Sequence, residues 1–120
     1  MTALHFMPSP TIRFRIDFGP ENSLGPGKIA LLEQIGRGRS LSHAARELNM
    51  SYRRAWQLLD SLNSCFRTPA AVSTIGGYRG GGTKLTPLGE QLIRVYREFD
   101  EEIQRRAGTA FRWLKNRTKI

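Results

Sequence analysis

The stretch "LSHAARELNMSYRRAWQLLDSLNSCF", residues 41–66, does most to narrow what this chain can become. Leu41, Ala44, Ala45 and Leu48 recur at i, i+3, i+4 and i+7, which predicts a short amphipathic helix capped by Ser40 or Ser42. Ser51 then caps a second helix over 51–66, with Ala55, Leu58, Leu59, Leu62 and Phe66 as its apolar stripe. Only two or three residues separate the two. So tight a joint needs a left-handed residue, and Asn49 is the type that adopts that conformation most readily after Gly. Ala45 is small where the helices approach, and Met50 and Ala55 supply apolar contacts that clamp the pair. Two helices joined this sharply form a helix-turn-helix.

Helical geometry then says which side chains face outward. At 100° per residue, Arg53 and Gln57 lie about 160° from the buried Ala55. Asp60 and Ser64 continue the same face, so cations and amide gather in the first turns and the acid comes later. That polarity suits a helix whose N-terminal turns meet DNA base edges. Arg53 can pair with guanine and Gln57 with adenine, while Arg54, nearer the flank, suits a phosphate. Tyr52 and Trp56 lie on the other flank. Packing against a following hairpin is the expected role of Trp56, with a DNA contact as the alternative. Ser51, Tyr52 and Ser42 complete the candidate DNA-binding set on these helices.

Ahead of this unit, "TIRFRIDF" alternates Ile12, Phe14, Ile16 and Phe18 with Thr11, Arg13, Arg15 and Asp17, predicting a strand with one buried face over 11–18. "GPENSLGPG" breaks it. "KIALLEQIGRGR" sets Ile29, Leu31, Leu32 and Ile35 at helical spacing, with Gly36 and Gly38 ending the helix. Downstream, "AAVSTI" and "TKLT" read as two short strands around "GGYRGGGTK", a hairpin. Thr86 caps and Pro87 opens a long helix. Along it Leu88, Leu92, Val95, Tyr96, Phe99 and Ile103 keep near-heptad spacing, and Gly108 marks an expected interruption.

The chain has 120 residues, enough for one domain with a modest core, and a net charge of +9. The charge is uneven. Residues 37–84 carry eight Lys/Arg against Glu47 and Asp60, a net +6, and 105–120 carry six and no acid. Residues 85–104 come to −3 and residues 1–36 balance. Basic blocks beside an acidic one point to a polyanionic partner for particular faces. The stretch 105–120, with Phe111, Trp113 and Leu114, could meet an anionic surface, but extra DNA contacts or disorder are the expected readings and no membrane partner is expected.

Other classes find little support. Apolar runs of a few residues are far too short for a membrane span, and the N-terminus lacks the pattern of a signal peptide. The lone Cys65 fits a reducing compartment, so a cytoplasmic, nucleoid-associated location is expected. No catalytic residue, metal site or cofactor is expected: His5 and His43 have no partner at ligand spacing, Cys65 lies beside an apolar stripe, and the acids of "EFDEEI" suit a solvated helix face. The glycine-rich 76–84 is the one enzyme-like feature. Gly77 and Gly82 have phosphate-loop spacing, but Thr83-Lys84 reverses the required Lys–hydroxyl order and no helix opens there. As a hairpin tip the same glycines allow a tight turn and bring N–H groups near an anion, with Arg79 and Lys84 adding charge. Placed after a helix-turn-helix, it reads as a wing along the DNA backbone.

In this order and spacing, "GPGKIALLEQI", "AARELNMSYRRAWQLLDSLN", "GGYRGGG" and "LTPLGEQL" resemble the N-terminal domain of ModE-type molybdate-responsive transcriptional regulators. That domain is itself similar to the LysR-type winged helix. The resemblance covers about residues 11–104, and "MSYRRAW" with the glycine wing is its most specific part. It implies a winged helix-turn-helix that dimerises through its long terminal helix and binds operator DNA. Ser51, Tyr52, Arg53, Arg54 and Gln57 match the family's recognition helix, and Arg79 with its glycines matches the wing. Full-length members also carry C-terminal oxyanion-binding domains that sense molybdate. This chain ends about where the long helix should finish, so molybdate is not an expected ligand of it.

The resulting expectation is a mainly α fold with a small β-hairpin wing: a flexible tail over 1–10, a DNA-binding unit over 11–86, and a dimerisation helix with a basic tail over 87–120. Double-stranded DNA and a second copy of the chain are the expected partners, the latter through Leu92, Val95, Tyr96, Phe99 and Ile103. The rival is a winged-helix protein-interaction adaptor with little sequence specificity. Its surface would be neutral or apolar where DNA would sit, and the +6 of residues 37–84 argues against it.

Overall fold

A computed structural model describes residues 11–74 and 82–119. Their elements run β1 (Ile16–Gly19), β2 (Asn22–Leu24), α1 (Pro26–Gly38), α2 (Leu41–Glu47), α3 (Tyr52–Asn63), β3 (Ala71–Thr74), β4 (Gly82–Leu85), α4 (Pro87–Ala110) and α5 (Arg112–Lys115). The strands form two separate antiparallel hairpins, β1–β2 and β3–β4. This is a mainly α fold of winged-helix type with a β wing. The expected tail over 1–10 and the tip of the wing over 75–81 lie outside the described residues.

The centre of the fold is α1. Of the five largest wholly enclosed side chains, Ile29, Leu31, Leu32 and Ile35 sit on this helix and Leu62 on α3. Each contributes about 1.5–3 kcal/mol of burial, and α2, α3, α4 and β4 all pack against α1. Pro26 stands at its first turn, where the missing N–H costs nothing. The helix ends at Gly38, the second of the two expected glycines, and Arg39 takes the left-handed conformation (φ 58°), its N–H donating to the Ile35 carbonyl at 2.8 Å. Gly38 also serves close approach, since a Cβ there would overlap the His43 ring.

The N-terminal segment also departs from the predicted strand. Only Ile16–Gly19 pairs, with Asn22–Leu24 inside the stretch read as a break. Residues 12–14 are held by side chains of α4. The Gln104 amide brackets Ile12, its Nε2 donating to the carbonyl at 2.6 Å and its Oε1 accepting from the N–H at 3.4 Å. The Tyr96 hydroxyl donates to the Phe14 carbonyl at 2.8 Å, and the two rings stack 4.3 Å apart. Of the four residues the alternation turns inward only Ile12 and Phe14 are partly buried, and there the hydrogen-bond partner is a helix rather than a strand. Ile16 and Phe18 remain exposed, Phe18 meeting the edge of Phe66.

Thr86 caps α4 as expected, its hydroxyl accepting from the Gly89 N–H at 3.2 Å, with Pro87 at the first position. Twenty-four residues make a rod of about 36 Å in a molecule whose longest dimension is 55 Å. The helix passes through Gly108 without interruption and breaks at Phe111, before the short α5. Among the described residues no helix is long and apolar enough to cross a membrane.

Candidate nucleic-acid interface

The joint between α2 and α3 has the geometry its sequence requires. Ser40, of the two cap candidates, accepts from the His43 N–H at 2.9 Å, leaving Ser42 exposed on the first turn. Asn49 is left-handed (φ 55°), one of two non-glycine residues with positive φ among those described. The chain then turns so that the Met50 N–H reaches the Ala45 carbonyl at 3.0 Å. Ala45 and Ala55 are buried between the helices, and Met50 packs against the core. Small residues at this crossing allow close approach, which fixes the angle at which α3 leaves the body.

Ser51 starts α3, its hydroxyl accepting from the Arg54 N–H at 3.0 Å. Beyond it, Tyr52, Arg53, Arg54 and Gln57 are all exposed. The helix ends at Asn63 rather than Phe66, because the Asn63 amide turns to the wing: Oδ1 accepts from the Ala70 N–H at 2.8 Å and Nδ2 donates to the Ala71 carbonyl at 3.1 Å. The wing is tied at its other strand by the Thr83 N–H, which donates to the Arg39 carbonyl at 3.0 Å. Its register pairs Ala71 with Leu85, Val72 with Lys84, Ser73 with Thr83 and Thr74 with Gly82. Two fixed anchors therefore set the hairpin relative to α3 before any partner arrives.

These anchors bring some candidates together and separate others. Ser42 and Tyr52 share a cleft of about 250 Å³ with Ser73, Thr74 and Thr83. Tyr52 and Trp56 line the adjoining groove, about 330 Å³, between α3 and β3. Trp56 thus borders the hairpin as expected, yet it remains 52% exposed. Lys84 lies apart, in a cleft of about 480 Å³ with Arg39 and Glu90. Arg39 was not among the residues singled out; a basic residue directly after a helix-ending glycine was the available signal. Arg79 lies outside the described residues.

Several cations on and around α2, α3 and the wing make no ion pair: among the described residues, Arg46, Arg53, Arg54, Arg67 and Lys84 make no salt bridge, although all are exposed. The four salt bridges all lie elsewhere, on β1 with its approach and on α1 and α4.

The expected dimer stripe on α4 divides. Tyr96 is buried against Phe14 of its own chain, and Leu92 packs on its own core, so neither is presented to a partner. Val95 and Phe99 are 51% and 55% exposed. Ile103 lines a shallow apolar recess of about 320 Å³ with Ala107, Ala110 and Phe111.

No protein-family model matches the chain. It is 36% identical over 104 residues to the molybdenum transport protein ModE of Azotobacter vinelandii, covering 87% of this chain and 37% of that protein. Over 73 residues it is 44% identical to the molybdenum-pterin-binding protein MopB of Rhodobacter capsulatus, 61% of this chain and 27% of that one. Over 82 residues it is 33% identical to the DNA-binding transcriptional dual regulator ModE of Escherichia coli K12, 68% of this chain and 31% of that one. The names are those of regulators and molybdenum-binding proteins rather than enzymes. The chain spans about a third of the length of these relatives. By sequence and by fold, then, this chain carries a ModE-like segment of winged-helix type.

Proposed function

We propose that this chain is a DNA-binding transcriptional regulator of the ModE type, reading the major groove with α3 and following the backbone with the β3–β4 wing. One observation carries the reading: the first turns of α3 present Arg53, Arg54 and Gln57 to solvent, with no acid paired to either arginine among the described residues. Arg53 and Gln57 take base edges. Arg54, Lys84 and Arg79 take phosphates, and Ser42, Ser51 and Tyr52 line the approach. The relative named a DNA-binding regulator supports this assignment.

The unit acts as a homodimer in the cytoplasm, at the nucleoid. Val95, Phe99 and Ile103 form the mating stripe, while Leu92 and Tyr96 hold α4 to its own domain. Molybdate is not a ligand of this segment. Selection of bound duplexes from a random pool, with and without molybdate, tests the whole reading. A pseudo-palindromic consensus unchanged by molybdate is expected; recovery of no preferred sequence would sink it and favour an adaptor. A monomer mass by light scattering at micromolar concentration would refute the dimer alone.

A further inference from the structure

Two large aromatic side chains on α3 stay about half exposed at the edge of the wing. Tyr52 is 55% and Trp56 52% exposed. Among the described residues neither makes a ring contact, a cation–π contact or a side-chain hydrogen bond. Three other exposed aromatics are engaged: Phe18 with Phe66, Phe99 with Phe14, and Trp113 beneath Arg117. Tyr52 and Trp56 stand at i and i+4, one above the other on a single flank. That flank borders the groove between α3 and β3, whose floor includes Leu41, Leu59 and Val72.

We propose that Tyr52 and Trp56 form an apolar reading edge that contacts thymine 5-methyl groups and the adjoining deoxyribose, on the DNA strand lying between α3 and the wing. The inference rests on the DNA-binding reading above and adds a base preference to it. Two observations select the occupant. Arg53, on the outward face beside the pair, draws a polyanion to this flank. Asp60, one turn beyond Trp56, lines the same groove and repels phosphate from it, leaving the uncharged parts of the nucleotide as the fitting contact. In the major groove the thymine methyl is the apolar group a base presents. It projects close to its own strand's backbone, the strand that a side chain on the wing-facing flank meets.

The test uses the intact chain and duplexes it selects from a random pool, with each thymine replaced singly by deoxyuridine. The replacement removes the methyl and keeps the base pair. For the native chain we expect about a fourfold loss of affinity at one or two positions per half-site, which is about 0.8 kcal/mol at 1.4 kcal/mol per decade. Trp56→Ala should bind the thymine duplex correspondingly less well and become indifferent to deoxyuridine at one of those positions. Tyr52→Ala should do the same at a neighbouring one. In a Trp113→Phe background, the Trp56 fluorescence should change on adding duplex. If the chain binds selected duplexes but no thymine position responds, or if both alanine variants keep the native deoxyuridine profile, this inference is overturned while the DNA reading stands. If no duplex is bound at all, both fall.

Discussion

Helices α3 and α4 are both amphipathic and both carry charged outer faces, yet they use charge in opposite ways. On α4, Arg97 lies between two acids, bidentate to Glu33 of α1 at 2.6 and 2.8 Å and 3.5 Å from Asp100, and Arg105 meets Glu102. On α3, Arg53 and Arg54 have no acid partner among the described residues, and Asp60 lies later on the helix. Apolar groups divide likewise: α4 spends Tyr96 on Phe14, while α3 leaves Trp56 and Tyr52 open. Satisfied groups hold a fold together; unsatisfied ones on a rigid element are free for a partner. The contrast supports the proposed division, with architecture for α4's first half and recognition for α3's.

The largest test lies at the joint where α4 leaves the wing. Gly89 is buried there, and a Cβ would overlap the Ala70 carbonyl, which already accepts from the Thr86 N–H at 3.0 Å. Gly89→Val should destabilise the fold by about 3 kcal/mol, the upper part of the usual overpacking range, read as a lower urea midpoint. An unchanged midpoint would break the claim that this joint is architecture. On the recognition side the outcome should invert. Arg53→Ala should leave the midpoint alone but cost roughly 1–3 kcal/mol of DNA affinity and relax base preference at one position. Arg54→Ala should weaken all sequences alike and flatten the salt dependence by about one unit of slope. Identical behaviour of the two variants would erase the division between base and phosphate readers.

How far this division was legible in the sequence depends on whether its causes are local. The helix-turn-helix needs only short-range rules: a serine cap, an apolar stripe, small alanines at a crossing and one left-handed asparagine. Every one of those can be read within one short stretch, from 40 to 66. The N-terminal segment could not be read so well, because Tyr96 and Gln104 take its backbone groups from across the chain, at separations of 82 and 92 residues. The same contact removed Tyr96 from the dimer stripe, where heptad spacing alone had placed it. The glycines of α1 were legible in part for a related reason. Gly38 ends the helix as its position suggests, but it also makes room for His43, a contact invisible to local pattern. The candidate DNA face was legible as a residue set, but its partition into a Ser42–Tyr52 cleft and a separate Lys84–Arg39 cleft came only with the wing's anchors.

The smallest expected effect sharpens the architectural half of the comparison. The bidentate Arg97 hydrogen bonds hold the Glu33 carboxyl below the usual carboxylate range, against the opposing push of burial, and the charges of Arg97 and Arg37 act in the same direction as the hydrogen bonds. A carboxyl whose pKa is depressed by folding contributes stability that is fully present above its unfolded pKa and is lost as pH falls through its lower folded value. Glu33→Gln keeps the shape but removes that charge, so it should lower stability at neutral pH by about 0.5–1 kcal/mol, the scale of a partly exposed pair. The deficit should shrink as the buffer is taken from pH 6 toward pH 3, where the native Glu33 also loses its charge. DNA affinity at neutral pH should stay within twofold of the native chain, since Glu33 and Arg97 lie off the α3 face. A loss that persists unchanged at low pH would mean that packing, and not the ion pair, fastens α1 to α4.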